Sequence, residues 1–114
     1  MNRVVVAGSR HITDYSVVEA AILESGFQID EIVNGCARGP DFFGGLFAKK
    51  NGIPTKEFPA NWALYQLSAG HIRNEQMAKY ATHLILVWDG KSRGSRSMLS
   101  LARQYGLTIF EKVV

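Results

Sequence analysis

Residues 82–96 read THLILVWDGKSRGSR, and this stretch decides the fold class. It opens with the longest unbroken apolar run of the chain, Leu84–Trp88, and then changes to glycine, serine and arginine. A short apolar run bounded by turn residues is typical of a strand that is buried on both faces of a sheet. We therefore predict a central strand over Thr82–Trp88, which a turn joins to a helix over Ser95–Tyr105.

Apolar runs and helical patterns alternate along the rest of the chain. Further strands are predicted over residues 4–7, 31–33, 53–58 and 107–110, and Pro54 favours an edge position for the strand 53–58. Helices are predicted around residues 17–22, 41–50 and 69–80, and residues 59–67 form a looser stretch. Strands that alternate with helices pair in parallel through right-handed crossovers, which predicts a single Rossmann-like three-layer α/β domain over residues 1–114. Its five-stranded, mainly parallel sheet has helices on both faces and an expected strand order of 3-2-1-4-5.

The composition excludes several classes of protein. The 114 residues leave room for one core, and a single cysteine excludes a disulfide framework and a cysteine-rich zinc site. The apolar runs are much shorter than the roughly 20 residues of a membrane span, and no signal-peptide layout is present, so we expect a cytoplasmic protein. The histidines lack metal-ligand spacing, so no metal site and no cofactor are expected. A net charge of +3 without a basic stripe argues against nucleic acid as a partner.

Unusual residues follow the predicted strands rather than precede them. Because the carboxyl ends of parallel strands meet at one edge of a sheet, we expect these residues to lie together. Glycine and serine let a backbone approach a ligand, the first amides of a helix point outward unpaired, and arginine binds phosphate oxygens in pairs. This combination predicts a site for a phosphorylated small molecule such as a nucleotide, although exposed loops are often rich in the same residues. The predicted ligand-binding residues are Gly8, Ser9, Arg10, Gly35, Arg38, Gly39, Asp41, Arg73, Asn74, Asp89, Gly90, Ser92, Gly94 and Ser95.

Five motifs follow one another along the chain: VAGSR (6–10), NGCARGPD (34–41), FPANW (58–62), AGHIRNEQM (69–77) and WDGKSRGS (88–95). Together they resemble the SLOG superfamily, specifically its small YspA-like branch, which is found in phage and bacterial genomes. The resemblance implies a Rossmann-like fold that binds or processes nucleotides or nucleotide-derived signals. The implied ligand is an ADP-ribose-type or cyclic nucleotide. The implied role is that of a sensor or a sequestering protein in a phage or defence system. Relatives include the lonely-guy phosphoribohydrolases and the ADP-ribose-type signal sensors of antiphage systems.

The resemblance also bears on catalysis. The enzymatic relatives carry an arginine before a helix, matched here by Arg73, and a Pro-Gly-Gly-x-Gly-Thr loop, whose end is matched by Gly94-Ser95. Met98 stands where their catalytic glutamate would, and this favours binding over N-glycosidic hydrolysis. The alternative is a nucleotide-processing hydrolase that cleaves an N-glycosidic or phosphate bond with Asp41 or Asp89. Either aspartate could instead bond a ribose hydroxyl or cap a helix, and Asp41 is a credible N-cap.

Several side chains near the predicted site have two interpretations. Trp62 and Tyr65 could stack on a nucleobase, but aromatic residues in such a segment more often cover a sheet edge or pack in a dimer. For Trp88, core packing and base contact stay equally open, whereas Cys36 is interpreted as a small filler and Asp14 as the start of a helix. Exposed aromatics and the self-association of relatives lead us to expect a homo-oligomer, either a dimer or a larger assembly.

Overall fold

Five strands form one sheet in the computed structural model, which describes residues 1–114: β1 (Arg3–Gly8), β2 (Glu31–Asn34), β3 (Thr55–Glu57), β4 (His83–Trp88) and β5 (Thr108–Val113). Their spatial order is β3-β2-β1-β4-β5, and every neighbouring pair is parallel. The Rossmann-like α/β fold and the expected strand order are therefore confirmed.

Five α-helices connect the strands: α1 (Tyr15–Ser25), α2 (Pro40–Lys50), α3 (Trp62–Tyr65), α4 (Ala69–Tyr80) and α5 (Arg93–Gln104). A 3-10 turn over Gln66–Ser68 joins α3 to α4. Asp14 begins α1 as predicted, because its carboxylate accepts a hydrogen bond from the amide of Ser16. None of the helices has the length and apolar composition that a membrane crossing requires.

The sheet is buried on both faces, and β4 shows how. Leu84 and Leu86 belong to a buried cluster that includes residues of α4 and α5. Ile85 and Val87 belong to a second cluster that includes residues of α1 and α2. Because both faces of β4 are covered by helices, the strand is apolar throughout rather than alternating, which is the pattern that predicted its central place.

The elements differ from the prediction mainly at their ends. β3 covers only Thr55–Glu57 at the exposed sheet edge, because Pro54 has no amide hydrogen with which to extend the ladder. β5 continues past the predicted end at residue 110 to Val113, because it pairs with the whole length of β4. α5 begins at Arg93 rather than at residue 95, because the preceding serine caps it.

Candidate functional site

A cavity of about 700 Å³ opens at the carboxyl end of β1, where the strand order reverses. Its walls are the end of β1, the loop after β2, the segment around α3 and the first turns of α4 and α5. Parallel α/β sheets bind ligands in this crevice, and small-molecule sites have volumes of about 300–1,000 Å³. The cavity thus lies at the edge where the sequence predicts a site, with a size suited to a small molecule.

Ten of the fourteen predicted ligand-binding residues line this one cavity, although they come from four separate parts of the chain. Their contact with a ligand stays a prediction. The ten are Gly8, Arg10, Gly35, Arg38, Asp41, Arg73, Asn74, Ser92, Gly94 and Ser95. The four that do not line it are Ser9, Gly39, Asp89 and Gly90.

Ser9 and Gly39 join loops behind the cavity wall. The hydroxyl of Ser9 is buried and accepts a hydrogen bond from the amide of Asp89 at 3.1 Å, which ties the loop after β1 to the loop after β4. Gly39 has a φ of +74°, and a Cβ built on it would lie 2.8 Å from the carbonyl oxygen of Ser9. The loops after β1 and β2 therefore touch at a position that requires glycine. Arg10 lies on the first of these loops and Arg38 on the second, so the two arginines are on adjoining loops.

Asp89 caps its own loop rather than lining the cavity. Its Oδ1 accepts hydrogen bonds from the amides of Lys91 and Ser92, each at 2.8 Å, and its Oδ2 lies 3.8 Å from Nε2 of His11. The hydrogen bonds from the two amides lower the pKa of the Asp89 carboxyl. Gly90, with a φ of +79°, completes the turn. Asp89 thus lies outside the lining of the cavity, and its candidacy as a catalytic acid stays a prediction.

The buried carboxylate of Asp41 holds the turn after β2. Its two oxygens accept hydrogen bonds from the amides of Gly35 and Ala37, each at 2.9 Å. Burial raises the pKa of Asp41, and these two amides and the guanidinium of Arg73 oppose that shift. Gly39 is the N-cap of α2 and Asp41 lies in its first turn, so the N-cap prediction was wrong. The glycine-rich turn also does not offer these two amides to a phosphate, because Asp41 already occupies them.

Arg73 and Asn74 connect three parts of the cavity wall. Nη1 of Arg73 donates to the carbonyl oxygen of Gly35, and Nε donates to Oδ1 of Asn74 at 2.9 Å. The amide nitrogen of Asn74 donates in turn to the carbonyl oxygen of Gly94 at 3.3 Å. Two of the N–H groups of Arg73 thus fix the loop after β2 against α4 and α5, and the contact of this arginine with a phosphate stays a prediction.

The start of α5 has hydrogen-bonding groups that the protein does not use. The amides of Arg93 and Gly94 have no partner in the chain, and the amide of Ser95 lies 3.4 Å from the capping Oγ of Ser92. Ser95 is only 3% exposed, and its own hydroxyl is buried without a hydrogen-bond partner. A buried polar group without a partner costs about 1–3 kcal/mol, and a helix N-terminus attracts anions. This part of the wall is therefore suited to an anion that accepts hydrogen bonds.

Positive charge surrounds the cavity with little negative charge to balance it. Four arginines line it, and Asp41 is its only carboxylate. Arg10, Arg38 and Arg93 are exposed, and none of the three makes an ion pair or a side-chain hydrogen bond with the chain. A concave wall with one sign of charge concentrates the field and attracts anionic ligands.

Two exposed apolar side chains stand at the mouth of the cavity. Trp62 is 58% exposed and Leu67 is 98% exposed, and both line it. Trp62 lies in α3, within the stretch that was predicted to be looser. This short helix forms because the side chain of Asn61 caps it.

The other two aromatic residues of the predicted site do not lie in its wall. Tyr65 does not line the cavity. Trp88 belongs to the buried core, so of its two interpretations the structure supports packing. The predicted self-association of the chain stays a prediction.

Some lining residues are absent from the sequence-based set. Oγ of Ser97 lies 2.9 Å from Nδ1 of His71, and this pair joins α4 to α5 in the wall. Arg93 also lines the cavity without being in that set. Helical spacing was a usable signal for Ser97, because it lies three residues after Gly94 and so on the same face of α5. Leu67 had no comparable signal, because sequence alone does not show which way a side chain points from a short irregular turn.

Cys36 should react slowly with alkylating agents. Its thiol donates a hydrogen bond to Oε2 of Glu57 at 3.2 Å, and partial burial together with this bond raises the pKa of Cys36 from 9.0 to about 11. Because only the thiolate reacts, modification by iodoacetamide at neutral to mildly alkaline pH should be roughly 100-fold slower than that of an unperturbed thiol. Mass spectrometry of timed samples measures the rate.

A pair of variants checks the cause of this slow reaction. Glu57→Gln should lower the pKa of Cys36 and accelerate the modification, because it removes the carboxylate that accepts from the thiol. Glu19→Gln removes the same charge from α1 and should leave the rate unchanged. A wild-type rate equal to that of a free thiol would contradict the expectation.

Comparisons with known proteins identify a family and a fold. A model of the YspA, cpYpsA-related SLOG family matches residues 2–65, which is more than half of the chain. The X-ray structure of DNA processing protein A (DprA) from Streptococcus pneumoniae superimposes with a TM-score of 0.73 at 21% sequence identity. The match covers 96% of this chain and 49% of that one, so this chain spans about half the length of that protein. At this identity the likeness concerns the fold alone. No curated protein matches the sequence.

Proposed function

Because the chain belongs to the YspA, cpYpsA-related SLOG family, we propose that its cavity binds a nucleotide or a nucleotide-derived signal, such as an ADP-ribose-type or cyclic nucleotide. Membership of the family indicates a nucleotide-related function in general terms. The more specific role proposed here is that of a sensor or a sequestering protein, which holds its ligand without consuming it.

The buried, unpartnered hydroxyl of Ser95 carries the proposal. It lies at the start of α5 beside the unused amides of Arg93 and Gly94, and together these groups can donate to several oxygens of one phosphate. A phosphate there would supply the missing partner of the hydroxyl and would meet the positive end of the helix dipole. Both effects favour a phosphorylated ligand over a neutral one.

The nucleobase is proposed to lie toward Trp62 at the mouth of the cavity. Trp62 packs beside the first turn of α4, where its ring would lie 3.7 Å from a Cβ added to Gly70. Its exposed indole offers a flat apolar face, and aromatic stacking is tolerant of the identity of the base, with a contribution of about 1–3 kcal/mol per base. This arrangement supports recognition of a nucleotide rather than of phosphate alone.

The cavity favours binding over catalysis because it lacks a free acid. Met98, at the position of the glutamate in the enzymatic relatives, is buried in the wall. The alternative, cleavage of an N-glycosidic or phosphate bond, would depend on Asp41, the only carboxylate in the wall. Both oxygens of Asp41 accept hydrogen bonds from backbone amides, so this carboxylate already holds the turn after β2, which argues against its use as the acid or base of a hydrolase.

Thermal-shift measurements on the full chain test the proposal. The probes are the 5′-monophosphates and diphosphates of the common nucleosides, ADP-ribose and cyclic AMP, with the unphosphorylated nucleosides as matched controls. We expect at least one phosphorylated probe to stabilise the protein, by about 2.7 kcal/mol at a hundredfold excess over its dissociation constant. Chromatography of the mixture should return that probe intact.

Two outcomes would contradict the proposal. If no phosphorylated probe stabilises a correctly folded sample, the cavity is not a nucleotide site. If the probe is converted with multiple turnovers to free base or ribose phosphate, the protein is a hydrolase, and loss of that turnover in Asp41→Asn would identify its acid.

A further inference from the structure

We infer that the ligand carries at least two phosphate groups, which the cavity holds at two neighbouring positions. This inference rests on the proposed function and specifies the class of ligand. The first position is the start of α5, with Ser95 and Arg93. The second is formed by Arg10 and Arg38, on the adjoining loops after β1 and β2.

The charges around the cavity favour a ligand with more than one phosphate. Arg73 is bonded to the loop after β2 beside Asp41, so this arginine and this carboxylate compensate each other. Arg10, Arg38 and Arg93 remain without a partner around the same cavity. A single phosphate monoester carries a charge of about −1.5 to −2, which is too small to balance three guanidinium groups. A second phosphate supplies the remaining charge.

The second position has its own geometric basis. A Cβ on Gly39 would lie 2.8 Å from the carbonyl oxygen of Ser9 and 3.1 Å from Cα of Arg10, so the two arginine-bearing loops are in direct contact. The amides of Arg10 and Arg38 have no partner in the chain, and both side chains line the cavity. Two like charges on touching loops repel each other, and an anion between them relieves that repulsion and accepts paired hydrogen bonds from each guanidinium.

The two positions are close enough for linked phosphates. β1 and β4 are neighbours in the sheet, and adjacent strands lie about 5 Å apart. Arg10 follows β1 and the start of α5 follows β4, and the hydrogen bond from the amide of Asp89 to the hydroxyl of Ser9, at 3.1 Å, joins the two loops. Because both positions line the same cavity, a nucleoside diphosphate or a compound with a pyrophosphate bridge is the class of ligand that would use both at once.

Calorimetry with AMP, ADP and ADP-ribose tests this inference, supported by thermal shifts with inorganic phosphate and pyrophosphate. ADP and ADP-ribose should bind about 10- to 100-fold more tightly than AMP, because each charge-assisted hydrogen bond to the second phosphate adds affinity. The double variant Arg10→Gln/Arg38→Gln should bring ADP down to the affinity of AMP and leave AMP nearly unchanged. Arg103→Gln, which removes an exposed arginine in the last turn of α5, serves as the matched control and should change neither.

Failure of the inference and failure of the proposed function give different results. Equal affinities for AMP, ADP and ADP-ribose would overturn the second phosphate position and leave nucleotide binding intact. An equal loss for AMP and ADP in the double variant would overturn it as well, because both phosphates would then share one position. If pyrophosphate stabilises the protein more than phosphate but no nucleotide binds, the nucleotide function fails and the paired phosphate site stands.

Discussion

Replacement of Ser95 by aspartate should reduce the affinity for phosphorylated ligands by about a thousandfold. The new carboxylate would stand where we propose the phosphate to bind, and two unit charges 4 Å apart repel by about 4 kcal/mol at an effective dielectric constant of about 20. It would also accept hydrogen bonds from the unused amides of Arg93 and Gly94, and so fill the anion position from within the protein. Calorimetric titration with the tightest binder among AMP, ADP and ADP-ribose measures the change.

Two variants of the same helix separate charge from other effects. Ser100→Asp adds the same charge on the exposed side of α5 and should leave the affinity close to that of the wild type. Ser95→Ala removes the hydroxyl without adding charge and should weaken binding by about tenfold or less, the contribution of one neutral hydrogen bond. The first turn of a helix favours the carboxylate of Ser95→Asp whereas burial disfavours it, so circular dichroism establishes that the variant is folded before the titration. Wild-type affinity in folded Ser95→Asp would show that no phosphate binds at the start of α5.

Replacement of Gly8 by alanine should prevent the chain from folding stably. A Cβ on Gly8 would lie 1.7 Å from the carbonyl oxygen of Val87 and 2.8 Å from Cγ of Pro40, far inside any permitted contact. Gly8 pairs with Val87 at the end of the β1–β4 ladder, so neither backbone can move away without separating the two central strands. We expect a loss of more than about 4 kcal/mol in the free energy of unfolding, which exceeds the effect of most single substitutions.

Chemical denaturation followed by circular dichroism measures this loss, and Gly94→Ala is the matched control. A Cβ on Gly94 would meet nothing within 4 Å, and alanine is favoured over glycine inside a helix by about 1 kcal/mol. This variant should therefore be as stable as the wild type or slightly more so. A Gly8→Ala protein with wild-type stability would contradict the close contact between β1 and β4.

The architecture could be predicted because it depends on the pattern of apolar residues within short segments of the sequence. The apolar run Leu84–Trp88 indicated burial on both faces of a sheet, and the structure places helices on both faces of β4. The alternation of strands with helices then limited the connections to right-handed crossovers, and the expected order 3-2-1-4-5 is the one that the structure has. The end of β3 was harder to predict, because its three exposed residues have no apolar pattern.

The location of the candidate site could also be predicted, because the carboxyl ends of parallel strands lie at the same edge of the sheet whatever the conformation of the loops. The hydrogen bonds that each residue of the site makes could not be predicted. Asp41 and Asp89 looked alike as free carboxylates after a strand, and the structure shows each of them bonded to two backbone amides. Arg73 is predicted to bind phosphate, and the structure shows that it also donates to the carbonyl oxygen of Gly35.

The strand order and the edge of the sheet that bears the cavity were thus readable from the chain alone. Which loop amides are occupied, which arginines stay free and which hydroxyl lacks a partner became apparent only in the folded arrangement. The reason is physical: burial patterns repeat at the spacing of a strand or a helix, whereas a hydrogen bond depends on two groups that meet within about 3 Å. Ser95 and Gly94 stand side by side in the sequence, but only packing decided that Gly94 would have its carbonyl bonded by Asn74 while the hydroxyl of Ser95 found no partner.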